Sequence, residues 1–259
     1  MSTRIRIQPS PEIEYPDSDG KPMSDNSWQY KWIATIREGI ATLVHYDPNV
    51  YVEANLLWYP VEGKPKIRGA PDVLVAFGRP KGRRGSYKQW AEGGIAPQVV
   101  FEVRSPGNRP VEMERKFQFY QRYGVEEYYL YDPDSGSLEG WRRRGRELKK
   151  IQRMAGFVSP RLGIRFEPGP GPDNLTIIRP DGERFLTYQE IFEQLSAEQK
   201  HAEEAERQRA AERQRAEEAE RQRAAERQRV EEAEQGRAAE RQRADRYAAQ
   251  LREMGIEPD

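Results

Sequence analysis

The chain contains no cysteine, which removes disulfides, thiolate metal sites and cysteine nucleophiles from consideration. Histidine is nearly as scarce: His45 and His201 are the only two, so a histidine-based zinc site or a Ser-His-Asp triad has little to work with. An excess of either charge is also missing, since 43 basic residues balance 43 acidic ones. Local clusters, not the total, then set the field that a polyanion meets. There is no signal-like N-terminus and no apolar run long enough to span a bilayer. The expectation is a cytoplasmic protein with no membrane partner.

What is present is unevenly spread over the 259 residues, with nearly all the Trp, Phe, Ile and Val before about Leu195. Residues 1–27 are rich in Pro, Ser and Asp and lack periodicity, which suggests an irregular arm. From 28 to 195 the pattern is that of a folded domain. Trp32, Ile33, Ile36, Ile40, Leu43 and Val44 fall near helical spacing, with Asp25 or Asn26 available as the N-cap. Val50 to about Trp58 reads as one strand. A helix is expected over Val111–Tyr123, stopped by Gly124, and a strand over Glu126–Tyr131. Two hairpin segments follow, Leu138–Trp141 and Glu147–Ile151, around a basic turn at Arg142–Arg146, then edge segments at Leu162–Phe166 and Leu175–Ile178. Thr187 is placed to cap a helix starting near Tyr188.

Residues 196–259 change to Ala, Glu, Gln and Arg in a repeat of two heptads: the run from Ala205 to Glu218 recurs from Ala219. Acid-first pairs such as Glu203 with Arg207 stand one turn apart, so the tail is expected to be a long helix. Its best seam, beginning Ala202, Ala205, Arg209, Glu212, lacks the Leu or Ile of a strong zipper. A solvated single helix and a weak oligomerising coil both remain open.

Two short apolar runs each carry one carboxylate: Asp72 within Gly69–Gly78, and Glu102 within Gln98–Pro106. Both runs have the β-branched and aromatic content of buried strands. A carboxylate buried there must be neutralised, paired or bound to a metal. Two of them on neighbouring strands suit a hard divalent cation. The competing reading is structural, with Asp72 capping a turn after Pro71 and Glu102 in an ion pair with Arg104, Arg115 or Lys116. Between the runs lies a basic, glycine-punctuated segment with Arg79, Lys81, Arg83, Arg84 and Lys88, able to follow a phosphate backbone while Tyr87 or Trp90 stacks on a base. A solvated surface loop is its plainer reading.

The order helix, strand, strand with Asp, strand with Glu, helix, strand is that of the PD-(D/E)XK nuclease core. Pro71-Asp72, Glu102-Val-Arg-Ser-Pro106, Lys116 and Tyr123-Gly-Val-Glu-Glu-Tyr-Tyr-Leu-Tyr-Asp-Pro133 together resemble the Uma-two family of restriction-endonuclease-like proteins. The resemblance covers roughly Trp28 to Leu195. It implies an α/β fold with a restriction-endonuclease-like mixed sheet flanked by helices, followed by the long C-terminal helix. It also implies cleavage of DNA dependent on Mg²⁺ or Mn²⁺. Asp72, Glu102 and the Val103 carbonyl would hold the metal. Arg104 replaces the usual strand lysine; it stays protonated and can clamp a phosphate but cannot act as a base. The matching helix lysine, Lys116, then takes the water-orienting role. Glu38 on the first helix and Glu53 on the first strand are the candidate acidic helpers. The alternatives kept open are a nucleic-acid-binding module without turnover and an oligomerising scaffold driven by the tail.

Overall fold

The structure is a computed structural model that describes residues 13–18, 20 and 26–253. Most of the expected arm, and the Asp25 cap candidate, lie outside the described residues. Helix α1 (Ser27–Leu43) is capped by Asn26, whose side chain accepts from the Gln29 N–H at 2.8 Å. Its buried stripe is Trp32, Ile33, Ile36 and Ile40. The strands follow in order: β1 (Val50–Ala54), β2 (Trp58–Tyr59), β3 (Val73–Phe77), β4 (Tyr87–Lys88) and β5 (Val99–Val103). Helix α2 (Pro110–Tyr123) starts with proline in its first turn and ends at Gly124 with φ 102°. Next come β6 (Glu127–Asp132), β7 (Ser137–Arg144), β8 (Glu147–Lys150), β9 (Phe157–Val158), β10 (Arg165–Pro168), β11 (Leu175–Ile178) and helix α3 (Tyr188–Glu253).

Six strands form the main sheet in the order β1-β3-β5-β6-β7-β8. Every pairing in it is antiparallel except β5 with β6, and that parallel pair is joined by α2, as a parallel connection requires. Both faces are covered in the middle, which is why β3 and β5 read as continuous apolar runs and not as alternating ones. On one face Val73, Val75, Phe101, Val103, Tyr129 and Tyr131 pack with α1 and with the small sheet β11-β10-β9. On the other, Leu74, Val100, Tyr128 and Leu130 pack with Met113 and Tyr120 of α2, together with Trp58 and Tyr87 of the β2-β4 pair.

Three details differ from the sequence expectation. The strand expected over Val50–Trp58 is broken at Asn55, which takes φ 54°, a conformation asparagine tolerates, and donates its N–H to the Asp72 carbonyl at 3.1 Å. The basic turn shrinks to Gly145-Arg146, because Arg142, Arg143 and Arg144 pair with Lys149, Leu148 and Glu147. Gly145, at φ 63°, fits the first central position of a II′ hairpin turn. The expected Leu162–Phe166 segment starts later, at Arg165, after Gly163 turns the chain at φ 69°. Thr187 and Glu190 form a reciprocal capping box, the Thr187 hydroxyl accepting from the Glu190 N–H and the Glu190 carboxylate from the Thr187 N–H.

The chain separates into two units, 1–191 and 192–259. Among the described residues, the first holds every buried hydrophobic residue, the last of them Phe185. The described part of the second is helical, continuing α3 to Glu253. Among the described residues no helix is long and apolar enough to cross a membrane.

Candidate active site

The antiparallel register that sets Val73 opposite Phe101 brings Asp72, just before β3, opposite Glu102 on β5. Their side chains leave the sheet on the α2 face, at the end where β5 gives way to the loop before α2. Asp72 is 6% exposed and Glu102 2%. The Val103 N–H donates to Asp72 Oδ2 at 2.7 Å, and the two carboxyls lie within hydrogen-bonding reach of each other. Lys116 and Tyr120 stand one turn apart on α2, so both point at the same spot. The Lys116 ammonium reaches Glu102 Oε2 at 2.6 Å, and the Tyr120 hydroxyl donates to Glu102 Oε1. Trp58 lies parallel to the Tyr120 ring at 6.4 Å and backs it.

Electrostatics follow from this crowding. Burial, and then the adjacent Glu102 carboxylate, push the Asp72 carboxyl well above the usual carboxylate range, against the opposing pull of Lys116 and the Val103 N–H. For Lys116, burial alone would lower the pKa, but Glu102 and Asp72 outweigh it and hold the ammonium above its ordinary value. Burial and then Glu102 likewise raise the Tyr120 phenol, which stays a donor. Lys116 is therefore a fixed cation, able to orient a water or offset charge but not to take up a proton.

Another buried carboxylate shows what a structural acid looks like here. Glu127, 1% exposed on the opposite face, accepts from the Tyr129 hydroxyl at 2.8 Å, the Ser159 hydroxyl at 2.5 Å and the Arg161 N–H at 2.8 Å. Asp72, by contrast, has one backbone donor and a like charge beside it, an arrangement that a cation would relieve. Among the described residues no group of three or more His, Cys, Asp or Glu side chains gathers to hold a metal. A pair of carboxylates still fits Mg²⁺, which keeps waters and takes its remaining oxygens from substrate phosphate.

The other expected site residues are distributed differently. Arg104 contacts Asp132 at 3.5 Å and stays 39% exposed. The Val103 carbonyl accepts from Gln29 Nε2 at 3.0 Å, so α1 enters the site through an amide. Glu38 and Glu53 are not beside Asp72 and Glu102: both pair with Arg37, at 2.7 and 3.6 Å. In the basic loop, Arg84 forks onto Glu92 at 2.6 and 3.1 Å and covers the Tyr51 ring, while Arg79 lies 3.9 Å from Glu92. Lys81 donates to the carbonyls of Val44 and His45 at the end of α1. Lys88 lies over the Tyr15 ring, and Arg83 is exposed. Tyr87 is fully buried with its hydroxyl donating to the Ile95 carbonyl, so the stacking role expected for it is corrected; Trp90 packs on Tyr15. Sequence reasoning missed Tyr120 and Gln29. Tyr120 could have been found by its position four residues after Lys116, whereas Gln29 carries no such signal.

A family model described as "Uma2: Putative restriction endonuclease" matches residues 8–168, more than half of the 259. The chain belongs to the Uma2 family. The Uma2 match takes in the six-stranded sheet, both short helices and the Asp72, Glu102 and Lys116 group, and stops before α3. No curated protein matches the chain. One similar solved structure is described as "a putative nuclease belonging to DUF820" from Anabaena variabilis ATCC 29413. The TM-score is 0.40 at 16% identity, with 54% of this chain and 74% of that chain covered.

Proposed function

We propose that this Uma2 protein is an endonuclease that hydrolyses DNA phosphodiester bonds with Mg²⁺ or Mn²⁺. The observation that supports this most is the buried Asp72 and Glu102 pair with one ammonium leaning into it. Asp72 and Glu102 would hold the ion. When bound, the ion supplies Lewis-acid polarisation of the phosphate and acidification of water.

The chain's own residues do the rest. Val103 fixes Asp72 through its N–H, and Tyr120 fixes one oxygen of Glu102. Lys116 stays protonated, orienting the attacking water and offsetting charge that develops on the phosphate. Arg104, two residues after Glu102 at the end of β5 and 39% exposed, would clamp a phosphate oxygen. The Val103 carbonyl, already accepting from Gln29, holds the first helix against the site. Of the loop cations, Arg83 and Lys88 are the ones we assign to the DNA backbone, since Arg79, Lys81 and Arg84 are occupied within the fold.

Supercoiled plasmid incubated with the full chain and Mg²⁺ or Mn²⁺ tests this. Nicking is expected, and Asp72→Asn and Lys116→Met should each reduce it by about 10²-fold or more. Equal nicking by wild type and both variants, or none by any of them, overturns the reading.

A further inference from the structure

Beside the carboxylates, on the same face of the sheet, lies a cavity of about 250 Å³ walled by Met113 and Phe117 of α2 and by Tyr128, Leu130 and Trp141 of β6 and β7. Leu130 is the register partner of Glu102, so the cavity opens one strand away from the site. Arg104, two residues after Glu102, is part of its lining and lies 3.5 Å from Asp132. Tyr128 joins them from below. Its ring stacks on Trp141 at 5.0 Å and 18°, and the charges of Glu102, Asp72, Arg104 and Glu139 all reach its phenol. That hydroxyl is buried and, among the described residues, has no hydrogen-bond partner.

We infer that this cavity receives an unpaired nucleobase next to the scissile phosphate, so that DNA with a base out of the stack is the preferred substrate. The inference rests on the nuclease reading and names its substrate class. The volume is below the about 300–1,000 Å³ of pockets for drug-sized ligands, so it suits one flat ring system. The Phe117 and Trp141 rings and the Met113 thioether offer surface for such a ring. The lining also includes polar groups for a base edge: the Glu114 carboxylate, the Glu139 carboxylate paired with Lys150 and the Arg104 guanidinium near Asp132. A phosphodiester at Asp72 and Glu102 with its charge on Arg104 carries its own base to the cavity mouth, which singles out a nucleobase over a free metabolite.

The test is equilibrium binding of the full chain carrying Asp72→Asn, expected to cut at least about 10²-fold more slowly, to three oligonucleotides of equal length at one salt concentration without divalent metal. One is fully paired, one has a single unpaired 2-aminopurine, and one has an abasic site at that position. The unpaired base should bind about tenfold or more tighter than the abasic backbone, the size of one base stacked on an aromatic surface. Its fluorescence should quench on binding. Adding Glu114→Trp, which plugs the mouth from an exposed helix position, should erase the difference; Trp141→Leu should reduce it. Equal affinity for base-bearing and abasic DNA, a preference untouched by Glu114→Trp, or no binding to any of the three overturns the inference. The two readings fail separately. Wild type that cuts nothing with Mg²⁺ while the base preference persists sinks only the activity, and wild type that cuts all three equally without a binding preference sinks only the pocket.

Discussion

At the scale of single residues, the chain uses buried acids in two ways. Glu127 has three donors and needs nothing more, while Asp72 has one N–H and a neighbouring carboxylate. The raised Asp72 pKa means the folded chain binds a proton that the unfolded chain gives up at about pH 4. The contribution of Asp72 to stability without metal therefore falls as pH rises from that range toward the raised value, and not the reverse. Melting temperatures in EDTA at successive pH values between 4 and 8 should show this decline, and Asp72→Asn should flatten it. Lys116→Met strands the Glu102 charge in the interior. Removing one partner of a buried pair costs about 3–5 kcal/mol, and the lower end applies because Lys116 keeps 26% of its side chain in water. Chemical denaturation checks this, and adding Glu102→Gln to Lys116→Met should recover most of the loss.

At the scale of elements, what was legible in the sequence follows burial. The runs containing β3 and β5 were readable because both faces are covered, and α1 because its stripe repeats at helical spacing. The pair β2 and β4 was not, since two residues carry no periodicity and Trp58 and Tyr87 are fixed by tertiary packing and by hydrogen bonds to residues distant in sequence, such as Trp58 to Gln89. Gln29 was invisible for a related reason: a polar residue in a first helical turn looks solvent-facing until the helix is docked. The loop cations misled because charge pattern cannot show that Arg84 already belongs to Glu92. Gly39 also acquires its reason only from packing. Mid-helix glycine normally gains about 1 kcal/mol on replacement by alanine. Here an added Cβ would sit 2.3–2.7 Å from the Phe185 ring, whose residue is 7% exposed. Overpacking of about 1–3 kcal/mol should win, so Gly39→Ala is expected to lower the urea midpoint.

At the scale of the whole molecule, among the described residues the first unit holds the apolar core and the second holds none of it. Ending the chain after Ile191 should therefore leave the first unit's melting temperature and plasmid nicking in place, while most of the α3 helical circular-dichroism signal disappears and any self-association goes with it. Loss of nicking on truncation would tie the tail to the chemistry. The claim on which the rest stands is that Asp72 and Glu102 share a divalent ion. Titrating Mn²⁺ into the full chain by calorimetry addresses it without DNA. One ion per chain is expected, bound with proton release as the Asp72 proton is displaced, and abolished by either Asp72→Asn or Glu102→Gln. A chain that binds no Mn²⁺, or binds it as well after both substitutions, contradicts the claim.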